Sequence, residues 1–276
     1  MSENKHSENK RYVIIGARGF IGSHVYKRLQ YDGLNVISYP HNIENIEFLN
    51  HYLQNTDVVI NCAALANLTA CIENPLRAYT VNMMGVVNIL EACRKNNVKR
   101  VILSSSNVVY GAMSPYRSSM LASEDIGQTY FHTYNMSVIS LRYANVYGKG
   151  SRDTWKHPTI FAAFKKQFNE QGHVKVMGDG TQIRNYIHVN DIVDAILVAA
   201  DSQYCGVIDI CTNEETSVNQ IASYFNCPIV HIKSKQGDVI RINQNPSDAK
   251  NILGWEAKIK MEEGIKDVLE GIVQRI

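Results

Sequence analysis

Three glycines at a three-residue period, Gly16, Gly19 and Gly22, directly follow the β-branched apolar run Arg11-Tyr12-Val13-Ile14-Ile15. They directly precede residues at helical spacing, Val25 and Leu29 among them. Glycine in these places removes the side chain where the chain must turn, where backbone must approach a pyrophosphate, and where a helix must pack on a strand. The helix start at Phe20 and Ile21 offers free N–H groups and a positive dipole end to the same anion. The run Gly16-Ala17-Arg18-Gly19-Phe20-Ile21-Gly22 therefore reads as a dinucleotide-binding turn. An NAD-selective turn is expected to have an Asp or Glu about 20 residues further on to accept from the adenosine ribose. That window reads Val36-Ile37-Ser38-Tyr39-Pro40-His41-Asn42, and the first acid is Glu44. Arg18, inside the turn, matches a 2′-phosphate instead. The cofactor reads as NAD or NADP, with NADP slightly favoured.

These residues need elements to position them. Strand-length apolar runs recur at Asn35 to Ser38, Asp57 to Cys62, Arg100 to Ser104 and Ser137 to Arg142. Stretches of helical length and period lie between them at Asn74 to Asn97 and Tyr116 to Tyr134. The alternation predicts right-handed βαβ units: an α/β fold with a doubly wound parallel sheet of Rossmann type. Beyond about Gly148 it loosens into a helix-like Pro158 to Gln171, a turn Gly178-Asp179-Gly180, and a helix-like Asn190 to Ala200. A smaller substrate-binding cap, interwoven with the sheet, is expected there. The division expected is a disordered tail over 1–10, a dinucleotide-binding domain over 11–150 and about 187–205, and the cap over about 151–186 and 206–276.

Composition narrows the function. The 276 residues are 45% hydrophobic and 20% charged, which is globular. With 28 Lys+Arg against 26 Asp+Glu, the formal charge of +2 is too small to drive binding to nucleic acid or to an acidic membrane surface. No apolar run approaches the ~18 to 20 residues of a membrane span, and the opening MSENKHSENK is polar, so a cytoplasmic location is expected. Six scattered cysteines without CxxC spacing fit reduced core residues rather than disulfides or a metal site.

Further motifs follow in order: Asn61-Cys62-Ala63-Ala64-Leu65, Glu73-Asn74-Pro75, Val81-Asn82, Asn88-Ile89-Leu90-Glu91-Ala92, Lys99-Arg100-Val101 and Ser104-Ser105-Ser106-Asn107-Val108-Val109-Tyr110-Gly111. Then come Leu141-Arg142-Tyr143-Ala144-Asn145-Val146-Tyr147-Gly148, the run from Gly178 to Asp191, Gly237-Asp238 and Leu253-Gly254-Trp255. From residue 11 almost to its end the chain resembles the extended short-chain dehydrogenase/reductase family, and within it the nucleotide-sugar epimerases and dehydratases.

The resemblance implies reversible hydride transfer between a sugar carbon and nicotinamide, with a Tyr as acid/base, a Ser or Thr orienting the sugar hydroxyl, and a Lys four residues after the Tyr. It assigns Ser106 and Tyr116 to the first two roles. Ala63, Ala64, Ser104 and Ser105 are placed along the cofactor, and Asn145, Arg184 and Arg241 on the substrate. Trp155, His157 and His188 read as packing. Two features depart from the pattern. The Lys position holds Met120, which supplies neither a ribose donor nor a cation to favour phenolate. Only ten positions separate Ser106 from Tyr116, a short loop that threatens to carry the Tyr off the sugar. The dehydratases' Asp-Glu pair is replaced by Asn107 and Val108. The expectation is a nucleotide-sugar epimerase, then a dehydratase or ketoreductase; the alternative is an impaired relative that binds without turnover. A homodimer is expected through the helices at Asn74 to Asn97 and Tyr116 to Tyr134.

Overall fold

The computed structural model describes residues 10–151, 158–233 and 244–270, so most of the expected tail, Trp155, His157, Gly237-Asp238 and Arg241 lie outside the described residues. A central sheet of six parallel strands is built from β1 (Arg11–Ile15), β2 (Asn35–Tyr39), β3 (Val58–Asn61), β4 (Arg100–Ser106), β5 (Val138–Tyr143) and, later in the chain, β9 (Gly206–Ile210). Their spatial order is β2-β1-β3-β4-β5-β9. The chain runs outward from β1 to β2 and then returns to β1's other side, which opens a crevice at the strand ends between β1 and β3.

Alternation along each strand feeds two cores. In β1, Tyr12 and Ile14 join Val25 and Leu29 of α1 (Phe20–Tyr31) and Ile192 and Ile196 of α8 (Val189–Asp201). Val13 and Ile15 face the other way, toward Leu49 of α2 (Ile46–Tyr52) and Ile89 and Leu90 of α5 (Gly85–Lys95). Strands with both faces covered have no polar side, and so the runs are continuously apolar.

The single helix expected over Asn74 to Asn97 is α4 (Pro75–Tyr79), a π turn over Thr80–Met84, and α5. It follows α3 (Leu68–Glu73), and the Asn74 side chain caps α4 by accepting from Arg77 N. The wider turn brings Asn82 inward, fully buried, where its amide accepts from Leu65 N (2.7 Å) and donates to Ser119 Oγ (3.0 Å). The helix α6 (Pro115–Tyr134) starts where Ser114 Oγ accepts from Arg117 N and Pro115 takes the first turn, and it stops at Asn135 in the left-handed region (φ 53°).

The remaining elements form a second region: β6 (Asn145–Tyr147), α7 (Ile160–Gln171), β7 (Val174–Met177), β8 (Ile183–His188), β10 (Glu215–Ser217), α9 (Val218–Ser223), β11 (Ile229–Ile232) and α11 (Met261–Leu269). Two small sheets, β10-β8-β6 and β11-β7, enclose an aromatic core that includes Tyr147, Phe161, Phe164 and Phe225. One expected boundary needs correction. The cap was expected to hold everything from 206, yet β9 pairs in parallel with β5 and completes the central sheet. Ala249 of α10 (Pro246–Leu253) and Trp255 pack in the same core as Ile208 and Ile210. Burial on both faces of the sheet edge draws these segments out of the cap.

Arg100 closes that edge. It is buried, and its guanidinium donates to the carbonyls of Ala199 (2.9 Å) and Tyr204 (2.9 Å) and to the hydroxyls of Ser137 (2.8 Å) and Ser202 (3.1 Å). Arg100→Leu leaves buried carbonyls without donors, a loss of about 3 kcal/mol in stability. The check is a lower urea midpoint with an unchanged m-value.

Candidate active site

The glycine turn is clamped by backbone on both sides. Gly16 has φ +83°, and a Cβ there would lie 2.7 Å from Ala63 N; a Cβ on Gly22 would lie 2.3 Å from the Gly16 carbonyl oxygen. Only glycine fits these approaches. No side chain caps α1, so its first turn keeps N–H donors for an anion. The residues Gly16 to Ile21 and, from the end of β3, Ala63 and Ala64 line a cavity of about 500 Å³. Gly22 serves the packing of α1 on the turn. This cradle fits the pyrophosphate and adenosine of a dinucleotide. Among the described residues lining it there is no Asp or Glu; Glu44 is engaged by Arg77, and Arg18 Nη2 donates to Pro40 O (3.0 Å) at the end of β2.

A second cavity of about 500 Å³ adjoins the first, sharing Ile21, Cys62, Ala64, Ala66 and Thr159 with it. Ser106, Tyr116, Met120, Asn145 and Arg184 all line it. The short connection does not carry Tyr116 away. Its end is pinned by the Ser114 cap and by Arg117 Nε donating to Val109 O (2.9 Å), which leaves Tyr116 in the first turn of α6 facing Ser106. Burial pushes the Tyr116 phenol up to about 12, opposed by a hydrogen-bonding interaction with Ser106. Met120 is buried beside it in an apolar seam with Cys71, Ala78 and Val109. Among the described residues no cation offsets the burial.

The three serines at the end of β4 diverge because alternate strand residues face opposite sides. Ser104 Oγ lies 3.2 Å from Tyr143 Oη. Ser105 Oγ is spent on Glu124, to which it donates at 2.5 Å, so this hydroxyl serves α6 although the residue borders the cavity. Asn145 Nδ2 donates to Asn185 O (3.0 Å) and Arg184 Nη1 to Ile183 O (2.8 Å), and both residues stay on the cavity wall. His188 is buried as the cap of α8, its Nδ1 accepting from Asn190 N, and burial lowers its pKa. It packs and does not line either cavity.

Sequence reading missed two wall residues, Tyr143 and Cys62. Burial holds the Tyr143 phenol well above the usual range and lifts the Cys62 thiol to about 12, so both are neutral polar groups in an apolar floor. It also missed Glu124, whose spacing of eight residues from Tyr116 places the two on one face of α6. Among the described residues no cluster of His, Cys, Asp and Glu gathers for a metal, and no helix is long and apolar enough to cross a membrane.

A dinucleotide cradle at a switch point, opening onto a cavity that holds a Ser–Tyr pair, defines a dinucleotide-dependent enzyme of the short-chain dehydrogenase/reductase type. The model of the NAD dependent epimerase/dehydratase family matches residues 12–210, and the chain belongs to that family. It is 30% identical to a putative UDP-glucose 4-epimerase of Methanocaldococcus jannaschii, over 93% of this chain and 96% of that one. Its fold is similar to the UDP-glucose 4-epimerase of Thermotoga maritima solved with UDP-glucose (TM-score 0.89, 27% identity, 94% and 97% of the two chains). It is also similar to MoeE5 in complex with UDP-glucose and NAD (TM-score 0.84, 27% identity, 94% and 97%).

Proposed function

We propose that this chain is a nucleotide-sugar epimerase, of the UDP-sugar class named for its relatives, that works by reversible hydride transfer through a keto-sugar. The observation that supports this is the meeting of Ser106 and Tyr116 in a cavity contiguous with the dinucleotide cradle. A bound dinucleotide would supply reversible hydride transfer with a sugar carbon. The turn Gly16 to Gly22 holds its pyrophosphate, and Ala63, Ala64 and Ser104 border its path. Ser106 orients the sugar hydroxyl, Tyr116 removes that hydroxyl's proton as the alcohol becomes a ketone, and the same Tyr gives the proton back. Arg184 and Asn145 hold the substrate from the second region. The reading as a binder without turnover draws on Met120, and the Ser106–Tyr116 meeting weighs against it.

The ionisation of Tyr116 sets the rate. Burial pushes its phenol up to about 12 against an ordinary 10, so phenolate is scarce at neutral pH. A raised pKa favours the protonated form, so base is gained as pH rises. Turnover should climb about tenfold per pH unit from 7 to 10 without a plateau. Met120→Lys should lower the Tyr116 pKa and raise neutral turnover by about 10 to 10³, and Tyr116→Phe should cost about 10² to 10⁴. Rates measured with UDP-glucose that are equal in the parent, Met120→Lys and Tyr116→Phe would remove Tyr116 as the acid/base.

Among the described residues the cradle has no carboxylate, and Arg18 lies at its adenosine end, which supports NADP over NAD. Fluorescence titration should show tighter binding of NADPH than of NADH, with the difference reduced in Arg18→Ala; a clear preference for NADH sinks this reading.

The helices beside the site support a homodimer. Val86 and Leu90 of α5 are core residues, but Leu68 and Ile72 of α3, Leu76 of α4 and Met84 in the π turn are exposed. Such an apolar stripe fits a second copy of the chain. Sedimentation at micromolar concentration should give twice the chain mass, and a monomer contradicts it.

A further inference from the structure

We infer that Asn107 is a specificity-determining residue, donating a hydrogen bond from its side-chain Nδ2 to an oxygen substituent of the sugar. The inference rests on the reading of the second cavity as a nucleotide-sugar site. Asn107 opens the 3₁₀ turn Asn107–Tyr110 directly after Ser106, and it lines the same cavity as Ser106, Tyr116 and Arg184. Asn107 is only 7% exposed, and among the described residues its Nδ2 has no hydrogen-bond partner. Buried amide groups are nearly always paired, so an orphan in a cavity wall marks a partner that arrives with a ligand.

The alternative duties of an asparagine at this place are already met. Asparagine often stabilises a turn through its own backbone, but here Ser106 Oγ does so by accepting from Val108 N (3.3 Å). The other asparagine of the wall, Asn145, is spent on Asn185 O. The neighbours Val108 and Val109 are apolar, so the turn itself would accept an apolar residue at 107 without loss. A carboxamide neither ionises nor transfers a proton at neutral pH. Asn107 therefore holds the substrate and does not react with it. Adjacent to Ser106, it meets the oxygen next to the reacting carbon rather than the nucleotide.

The test compares the parent with Asn107→Leu, which keeps the branched shape and removes the amide. Calorimetric affinities for UDP-glucose and for UDP alone are measured with the dinucleotide-loaded protein, and melting temperature without ligand. The expected result is UDP affinity within about twofold of the parent, UDP-glucose affinity about tenfold weaker, and a melting temperature equal or higher because an orphaned donor has gone. Unchanged UDP-glucose affinity overturns the inference, as does an equal loss for UDP and UDP-glucose, which indicates a structural role. Should the Leu variant fail to fold, Asn107→Ala is judged by the same two affinities. If the parent itself binds UDP-glucose no more tightly than UDP, the nucleotide-sugar reading fails first, and this inference with it.

Discussion

The geometry of the site depends on a buried carboxylate that fastens α6 to the central sheet. Glu124, almost wholly buried, receives both Nε and Nη2 of Arg142 (2.8 and 2.7 Å) from β5 and the hydroxyl of Ser105 (2.5 Å) from β4. A buried charge is tolerated only when its partners are fixed, and two parallel N–H donors set orientation as well as distance. Because Glu124 shares a face of α6 with Tyr116, the grip sets the rotation of the helix and hence where the phenol points. The network continues outward: Arg142 also donates to Tyr110 Oη (2.7 Å), which donates to Asp209 (3.0 Å), and Asp209 accepts from Asn245 N (3.0 Å). The turn after Ser106, strand β9 and the entry to α10 are thereby held as one unit.

The same burial that positions Tyr116 works against its chemistry. Its pKa rises because water is excluded, and the seam around Met120 contributes no compensating charge. Thioether fills an irregular gap between helices well, so position 120 favours packing over phenolate formation. Asn107 presents the opposite case, a polar group retained where packing alone would choose an apolar one. Packing governs position 120 and is set aside at position 107, and both residues lie in the wall of the same cavity.

The second cavity belongs to neither region alone. Ser106 and Tyr116 come from the central sheet and α6, whereas Phe161, Arg184 and Tyr186 come from α7 and β8. Phe161 and Tyr186 meet edge to face (5.3 Å between centroids), and this aromatic packing anchors the wall opposite Tyr116.

What the sequence determined by itself was everything governed by local spacing. The glycine period between an apolar run and a helical pattern marks the cradle because a tight strand-to-helix turn needs backbone without side chains, and the strand and helix periods follow from which face must avoid water; the clamp of Gly16 against Ala63 is tertiary. The resemblance added Ser106 and Tyr116 through the order of their motifs. The tertiary structure decided what depends on distant partners. Val207-Ile208-Asp209-Ile210 reads as a strand anywhere, but its place beside β5 comes from the shared core with Trp255 and Ala249. The short loop before α6 leaves the helix in place because the cap at Ser114 and the carboxylate of Glu124 hold it. Whether an amide such as Asn107 or Asn145 is spent or free is likewise a property of neighbours far along the chain, because a side-chain hydrogen bond is set by three-dimensional proximity.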